Sequence, residues 1–351
     1  MKKVRIGLVG IMRNARGHGV QCMKNKNAQV VAGCDVSPAG REQGQKWYGV
    51  PMYPSLTEMI KNAKMDAVII STPNWTHRQL TVEALKAGLK VLCEKPMANT
   101  LSDSKAMAEA VKKYKGFLTI GFELKTCPIM LEIKKIIDSG AVGEIKHIHF
   151  LQTPGQKEND WKVSQKLSGG LFIEKLCHQI DTFRHFLGDM KSVEVYHGPN
   201  TAPHYEVMDN CYAIFAFKSG AVAHISFITG LAAAKEGLKD SEYPKYGHSL
   251  RFDFIGTKGS LSYNYWDKSL TTCKLVKQKD GAWKSKLVSK KIFKEYSAAQ
   301  LYESFDYQDK DFIERVGKGK KELFTALDSY KTMQAAFACE ESARKNRKIL
   351  L

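Results

Sequence analysis

Val4-Arg5-Ile6-Gly7-Leu8-Val9-Gly10-Ile11-Met12-Arg13-Asn14-Ala15 is the stretch that decides the fold. A mostly apolar, partly β-branched run enters a glycine and a helical pattern follows, so the segment reads as strand, tight turn and helix. Such a turn points unpaired backbone N–H groups and the positive end of a helix dipole at one spot, which suits a pyrophosphate. The dinucleotide fingerprint G-x-G-x-x-G/A is incomplete here. Gly10 supplies the first glycine and Ala15 the third position, but Met12 stands where a second glycine normally lets the backbone approach the phosphates. Arg13 and Arg16 are either charge-assisted phosphate contacts that offset this change or ordinary surface arginines.

Further along, short β-branched runs at 29–34, 67–71, 90–93 and 117–120 alternate with helical patterns near 18–25, 38–48, 55–62, 76–87 and 101–114. That alternation predicts an α/β, Rossmann doubly wound parallel sheet over residues 1–123. Asp35 closes the second strand 20 positions after Ala15. At that spacing a carboxylate accepts from the adenosine ribose hydroxyls and repels a 2′-phosphate, which favours NAD over NADP; the alternative is a helix-capping role ahead of Ser37-Pro38. Ser71-Thr72-Pro73-Asn74-Trp75-Thr76-His77 follows the third long strand at its carboxyl end, where ligands bind in such sheets, although alone it would pass for a turn.

Residues 124–351 read as an α+β domain. A helix near 128–138, a strand near 143–152 and a helix over 170–187 precede strands near 192–197, 211–217, 222–229, 250–256 and 260–265. Sequential strands at this spacing predict a large, mostly antiparallel, open-faced sheet. The tail from 304 to 344 is helical, broken at Gly317-Lys318-Gly319, and free to pack back on the first domain.

A chain of 351 residues with 43% hydrophobic side chains can bury a sizeable core, which argues against disorder. No apolar run approaches the roughly 20 residues of a membrane helix, and Met1-Lys2-Lys3 leads directly into a strand, unlike a signal peptide. Eight cysteines are scattered without C-x-x-C or finger spacing, so reduced thiols, no metal and a cytoplasmic setting are expected. The net charge of +18 is spread along the chain, either as a solvated lysine surface or as a field that draws an anionic cofactor or acidic substrate. Neither nucleic acid nor membrane is expected as a partner.

Ala87-Gly88-Leu89-Lys90-Val91-Leu92-Cys93-Glu94-Lys95-Pro96 resembles the A-G-K-H-V-L-x-E-K-P signature of the Gfo/Idh/MocA oxidoreductases, the family of glucose-fructose oxidoreductase and inositol dehydrogenase. Thr72-Pro73-Asn74 with His77, Ser168-Gly169-Gly170, His178-Gln179-Ile180-Asp181 and Gly317-Lys318-Gly319-Lys320 extend the resemblance over nearly the whole chain. It implies NAD at Gly10, Ile11, Met12, Arg13, Asp35, Ser71, Thr72, Pro73, Asn74, His77, Glu94 and Lys95. It also implies that Lys95 binds the reacting hydroxyl and helps move its proton, as a partly desolvated lysine can.

Glu174 and His178 stand at i and i+4 of the expected 170–187 helix, on one face. Family members usually carry Asp and His there as an acid/base pair, the carboxylate orienting the imidazole. Here the carboxylate is one methylene longer, and Lys175 takes a usually apolar place. By resemblance, Asp181 contacts substrate hydroxyls and Lys125 stands where many members have arginine; Glu123 and Trp161 join them as substrate contacts.

The resulting expectation is an NAD-dependent oxidoreductase acting on a secondary hydroxyl of a sugar, cyclitol or glycoside. Two alternatives remain: glycoside cleavage through transient oxidation and elimination, and a non-catalytic family member whose cofactor site Met12 has weakened. The resemblance further implies a homo-oligomer, dimer or tetramer, formed through the second-domain sheet.

Overall fold

The computed structural model describes residues 3–12, 14–154, 160–229, 249–303 and 305–351. Arg13, expected at the phosphates, lies outside the described residues, as does Ser304. The chain divides into two compact units, Met1–Glu123 with Ser304–Met333, and Leu124–Glu303 with Gln334–Leu351.

The first unit alternates β1 (Val4–Val9), α1 (Asn14–Lys24), β2 (Ala28–Cys34), α2 (Pro38–Tyr48), β3 (Met52–Tyr53), α3 (Leu56–Asn62), β4 (Ala67–Ile70), α4 (His77–Lys86), β5 (Lys90–Cys93), α5 (Leu101–Tyr114) and β6 (Leu118–Ile120). Among the described residues its strands form one parallel sheet in the order β3-β2-β1-β4-β5-β6, the reversal of direction falling between β1 and β4. β4 is Ala-Val-Ile-Ile with all four residues buried, as a strand covered on both faces must be. Helix starts follow local chemistry: Ser37 caps α2 by accepting from the Gly40 N–H with Pro38 in the first turn, and Thr100 caps α5. Ile6, Leu8, Ile69 and Leu92 form the core with Phe117 and Phe312, the last from the helix Phe305–Gly317.

The second unit holds α6 (Pro128–Asp138), β7 (Ile145–Thr153), α7 (Gln165–Ser168), α8 (Leu171–Glu174), α9 (Cys177–Leu187), β8 (Met190–Tyr196), β9 (Asn210–Phe217), β10 (Val222–Ile228), β11 (Ser249–Gly256), β12 (Gly259–Asn264), β13 (Ser269–Lys277), β14 (Trp283–Ile292) and β15 (Ile349–Leu350). Its sheet runs β14-β13-β12-β11-β7-β10-β9-β8-β15, antiparallel except where β10 lies parallel to β7. Alternating burial along β9 and β12 marks one covered and one open face. The covered face is aromatic: Phe150 meets Phe252 at 4.6 Å between centroids, and Phe183 of α9 meets Phe215 at 5.6 Å.

Two expectations need correction. The single helix over 170–187 is broken: the Leu176 N–H reaches back to Leu171 O, one residue beyond the helical partner, and α9 restarts from Leu176 O. Glu174 and His178 therefore do not share an uninterrupted helix, and the i, i+4 face argument does not carry over. The strands β13 and β14 were also not expected. β14 is exposed along its whole length and studded with lysine, so it lacks the one-sided apolar alternation that marks a covered strand.

Candidate active site

The parallel ladder of the first unit ends in a row of main-chain bonds, Gly10 N–H to Cys34 O, Ser71 N–H to Val9 O, Glu94 N–H to Ile70 O and Gly121 N–H to Cys93 O. The register thus delivers Gly10, Asp35, Ser71 and Glu94 to the carboxyl edge of the sheet, the edge at which α/β sheets bind ligands. Gly10 has φ +84°, and a β-carbon on it would collide with the Ser71 carbonyl oxygen, so no other residue fits this turn. α1 starts four residues on, with its N-terminus at the turn.

Asp35 is fixed by two main-chain donors: Ile11 N–H to Oδ2 at 3.1 Å and Ser37 N–H to Oδ1 at 2.9 Å. Ser37, rather than Asp35, is the N-cap of α2. A β-carbon on Gly40 would come within 2.6 Å of the Asp35 carboxyl carbon, so the glycine keeps room for the carboxylate. Ile11 buries its side chain in the core and has only backbone at the turn. Met12 leaves its side chain half exposed there.

The loop after β4 is braced from inside. His77 is fully buried, with Nδ1 2.8 Å from Pro96 O and Nε2 2.9 Å from Thr72 O. Burial pushes its pKa down, and a neutral ring donates to only one of those two oxygens. The ring lies between the Ser71–Thr76 loop and the Glu94-Lys95-Pro96 segment, within bonding distance of a carbonyl of each. Thr72 and Thr76 hydroxyls lie 2.7 Å apart, Pro73 O accepts from Thr76, and Asn74 is buried with no partner for its Nδ2 among the described residues. Lys95 is half-buried, and Glu94 is buried, with Oε1 2.8 Å from His18 Nε2 and Oε2 accepting the Lys95 N–H at 3.2 Å.

In the second unit, Lys125 and Asp181 are bound to each other, Nζ 2.9 Å from Oδ2, although 56 residues separate them. Both are buried, and burial together with Lys125 holds the neighbouring His185 down at about 4, hence neutral. Glu174, the half-buried Lys175 and Lys162 line a cavity of about 30 Å³ with Gly170, Tyr205 and Phe227. Trp161 sits half-buried on the turn Trp161–Val163, and Glu123 is buried at the end of the first unit. Gly170 has φ +125°, and a β-carbon there would run into the Glu340 carboxylate, whose Oε1 accepts the Phe172 N–H at 2.8 Å. Sequence reasoning missed His18, Asp309 and Glu340; the one available hint was that Glu94, at the end of an apolar strand, needed a buried partner.

A glycine turn without room for a side chain, a helix N-terminus beside it and a carboxylate fixed at the tip of β2 suit a dinucleotide in donor set and shape. The first unit thus has the build of a dinucleotide-dependent oxidoreductase. Residues 4–122 match the NAD-binding Rossmann fold of an oxidoreductase family, GFO_IDH_MocA, and residues 134–351 match its C-terminal alpha/beta domain. The chain belongs to the Gfo/Idh/MocA family, and its cofactor is NAD.

The chain is similar to scyllo-inositol 2-dehydrogenase (NAD(+)) of Bacillus subtilis (strain 168), 28% identical over 315 residues that cover 89% of this chain and 84% of the relative. It is 29% identical over 261 residues to inositol 2-dehydrogenase of Rhizobium meliloti (strain 1021), covering 74% of this chain and 75% of the relative. A levoglucosan dehydrogenase solved in complex with NADH and L-sorbose shares the fold, with a TM-score of 0.81 at 20% identity over 100% of this chain and 99% of that one.

Proposed function

We propose that this dehydrogenase oxidises a secondary ring hydroxyl of a cyclitol or closely related sugar. The observation that carries the reading is the joint presence of Lys95, directly after the Glu94 fixed by His18, and an Asp35 carboxylate held at the tip of β2. Relatives named inositol dehydrogenases, aligned over three quarters or more of their length, supply the substrate class.

NAD, when bound, supplies the site that accepts hydride. The backbone at Gly10, Ile11 and Met12 and the N-terminus of α1 would hold its pyrophosphate, with Asp35 taking the ribose hydroxyls and Ser71 to Asn74 lying along the edge. Lys95 binds the oxygen of the reacting hydroxyl and lowers the cost of the negative charge that develops there. His178 is the group proposed to take the hydroxyl proton, with Glu174 as the second acid/base group by resemblance to the family pair. Lys125 and Asp181 present donors and acceptors of both signs to the remaining hydroxyls, with Glu123 and Trp161 as further contacts.

Among the described residues none of the eight cysteines is in a disulfide and seven are buried, which supports a reducing, cytoplasmic setting. A homo-oligomer through the open sheet face is supported by Tyr196, Tyr212, Ile214 and Ile255. Ladder register puts these on one face, and all are more than 40% exposed.

The test is to denature freshly purified protein, assay released NAD(H), titrate NAD and NADP into intact protein, and follow NADH formation with a panel of cyclitols and sugars. Stoichiometric NAD and NADH formation with a cyclitol are expected. Glycoside cleavage without net NADH would replace this reading by transient oxidation and elimination, and no binding of either nucleotide would reduce the chain to a non-catalytic relative.

A further inference from the structure

His18 has no part in the chemistry above, yet it is a fully buried ionisable group of the first unit. Its side chain is 0% exposed; Nε2 lies 2.8 Å from Glu94 Oε1, and Nδ1 lies 2.9 and 3.1 Å from the two oxygens of Asp309. The Phe305 ring covers it at 4.3 Å between centroids. Both ring nitrogens face carboxylate oxygens, and with those carboxylates ionised both donate, which only the imidazolium can do. Burial alone would drive that charge out, but Asp309, and then Glu94, reverse the effect and hold His18 at about 10. Asp309 is itself pushed up by burial and pulled back by His18.

The remaining neighbours leave Glu94 little freedom. Gly121 stands where a β-carbon would come 2.9 Å from Glu94 Oε1, so the carboxylate lies in a slot only glycine leaves open. Its second oxygen accepts the main-chain N–H of Lys95. A chain of bonds thus runs from Asp309 on the helix Phe305–Gly317, through the His18 ring on α1, to Glu94 and the backbone of Lys95. Isolated buried carboxylates are costly, and an ion triad of this kind is not favoured for stability over apolar packing, so its position ahead of Lys95 calls for a functional account.

We propose that His18 is a positioning residue: anchored by Asp309, its imidazolium holds the Glu94 carboxylate and through it the main chain of Lys95, and shields the Lys95 side chain from the full charge of Glu94. The inference rests on the reading of Lys95 as the group that binds the reacting hydroxyl. The other titratable groups facing the cluster are Cys22 on α1, Asp306 on the helix that carries Asp309, and His77, which feels both Glu94 and Lys95. Burial keeps the Cys22 thiol protonated and pushes His77 towards its neutral form, which leaves Glu94, His18, Asp309 and Asp306 as the charged groups of this set.

The test compares wild type with His18→Gln and, in case that variant does not fold, Asp309→Asn, in which the amide oxygen still accepts from Nδ1. Three quantities are measured: NAD affinity, kcat and KM against pH, and the pH dependence of Lys95 acylation in the NAD-free protein by mass spectrometry. With His18 neutralised, Glu94 acts on the Lys95 ammonium and favours its charged form. The midpoint of Lys95 reactivity should then move to higher pH by about one unit. kcat should fall about 10- to 100-fold, with NAD affinity and KM changed far less. Folded variants with wild-type Lys95 reactivity and kcat would overturn the proposal and leave a structural triad. If Lys95 reactivity shifts but wild type oxidises no polyol, the positioning stands and the proposed function fails; if Lys95→Met abolishes oxidation while both triad variants leave it unchanged, the positioning alone fails.

Discussion

The carboxylate of Glu340 fills the space in which Gly170 would carry a β-carbon, and from there it accepts the Phe172 N–H at 2.8 Å. Ser168-Gly169-Gly170 is thereby explained by a residue 170 positions further along the chain, on the helix Ala326–Lys345. The contact fixes the start of α8, the segment that ends in Glu174.

Gly170→Ala is expected to be strongly destabilising, because it combines a disfavoured φ of +125° with a clash against a half-buried carboxylate that is tied to the Phe172 N–H. A loss of about 3 kcal/mol or more in urea unfolding is expected. Gly188→Ala, at a similarly positive φ but with open space around the β-carbon, is the control and should lose less. Equal losses at the two sites would mean that backbone strain, and not Glu340, makes the glycine necessary.

Glu340 itself sets a pH dependence. Burial raises it from 4.5 to about 7, only partly offset by the Phe172 N–H. Between these values the unfolded chain gives up the proton while the folded chain keeps it, so stability falls as pH rises from 4.5 to 7 and is level beyond. Glu340→Gln keeps an oxygen for Phe172 and cannot ionise. Its melting temperature should match wild type near pH 4.5 and exceed it above pH 7, by a stability difference on the order of 2 kcal/mol. Parallel curves for the two proteins across that range would show that Glu340 does not titrate there.

Those two residues also mark how far sequence reading reached. The strand, turn and helix around Gly10 were legible because the chemistry is local: apolar runs, a glycine and capping residues lie within a dozen positions. Glu94 and Lys95 were legible as a motif, but His18, which holds Glu94, sits 76 positions before it, and Asp309, which anchors His18, 215 positions after it, in helices with no local mark of that role. The i, i+4 spacing of Glu174 and His178 misled because the main chain slips by one residue at Leu176, and no glycine or proline announces it. β14 escaped because an exposed strand needs no apolar face.

Asp35 is expected to govern nucleotide choice. Its carboxylate is held in place by the Ile11 and Ser37 N–H groups, so it is pre-set for a pair of ribose hydroxyls and against a 2′-phosphate. Asp35→Ser should weaken NAD by about 10- to 100-fold, the worth of a charge-assisted bond, and narrow the gap to NADP. Calorimetric titration of both nucleotides into both proteins checks this; an unchanged NAD-to-NADP ratio would confine Asp35 to bracing the turn.

The buried triad predicts a pH-dependent stability difference between wild type and His18→Gln. His18 is raised from 6.5 to about 10, so its contribution to stability is complete below pH 6.5. Between 6.5 and 10 the unfolded imidazole has lost the proton that the folded one retains, and the contribution drains away as pH climbs through that window. The full effect is on the order of 4 kcal/mol, and the ring is enclosed enough that solvent screens little of it. The two proteins differ at residue 18 alone, so the informative quantity is the difference between them. That difference should be largest near pH 6 and shrink steadily towards pH 10 in denaturant unfolding. A difference that stays constant over the window would mean that His18 is held by packing against Phe305 and not by charge.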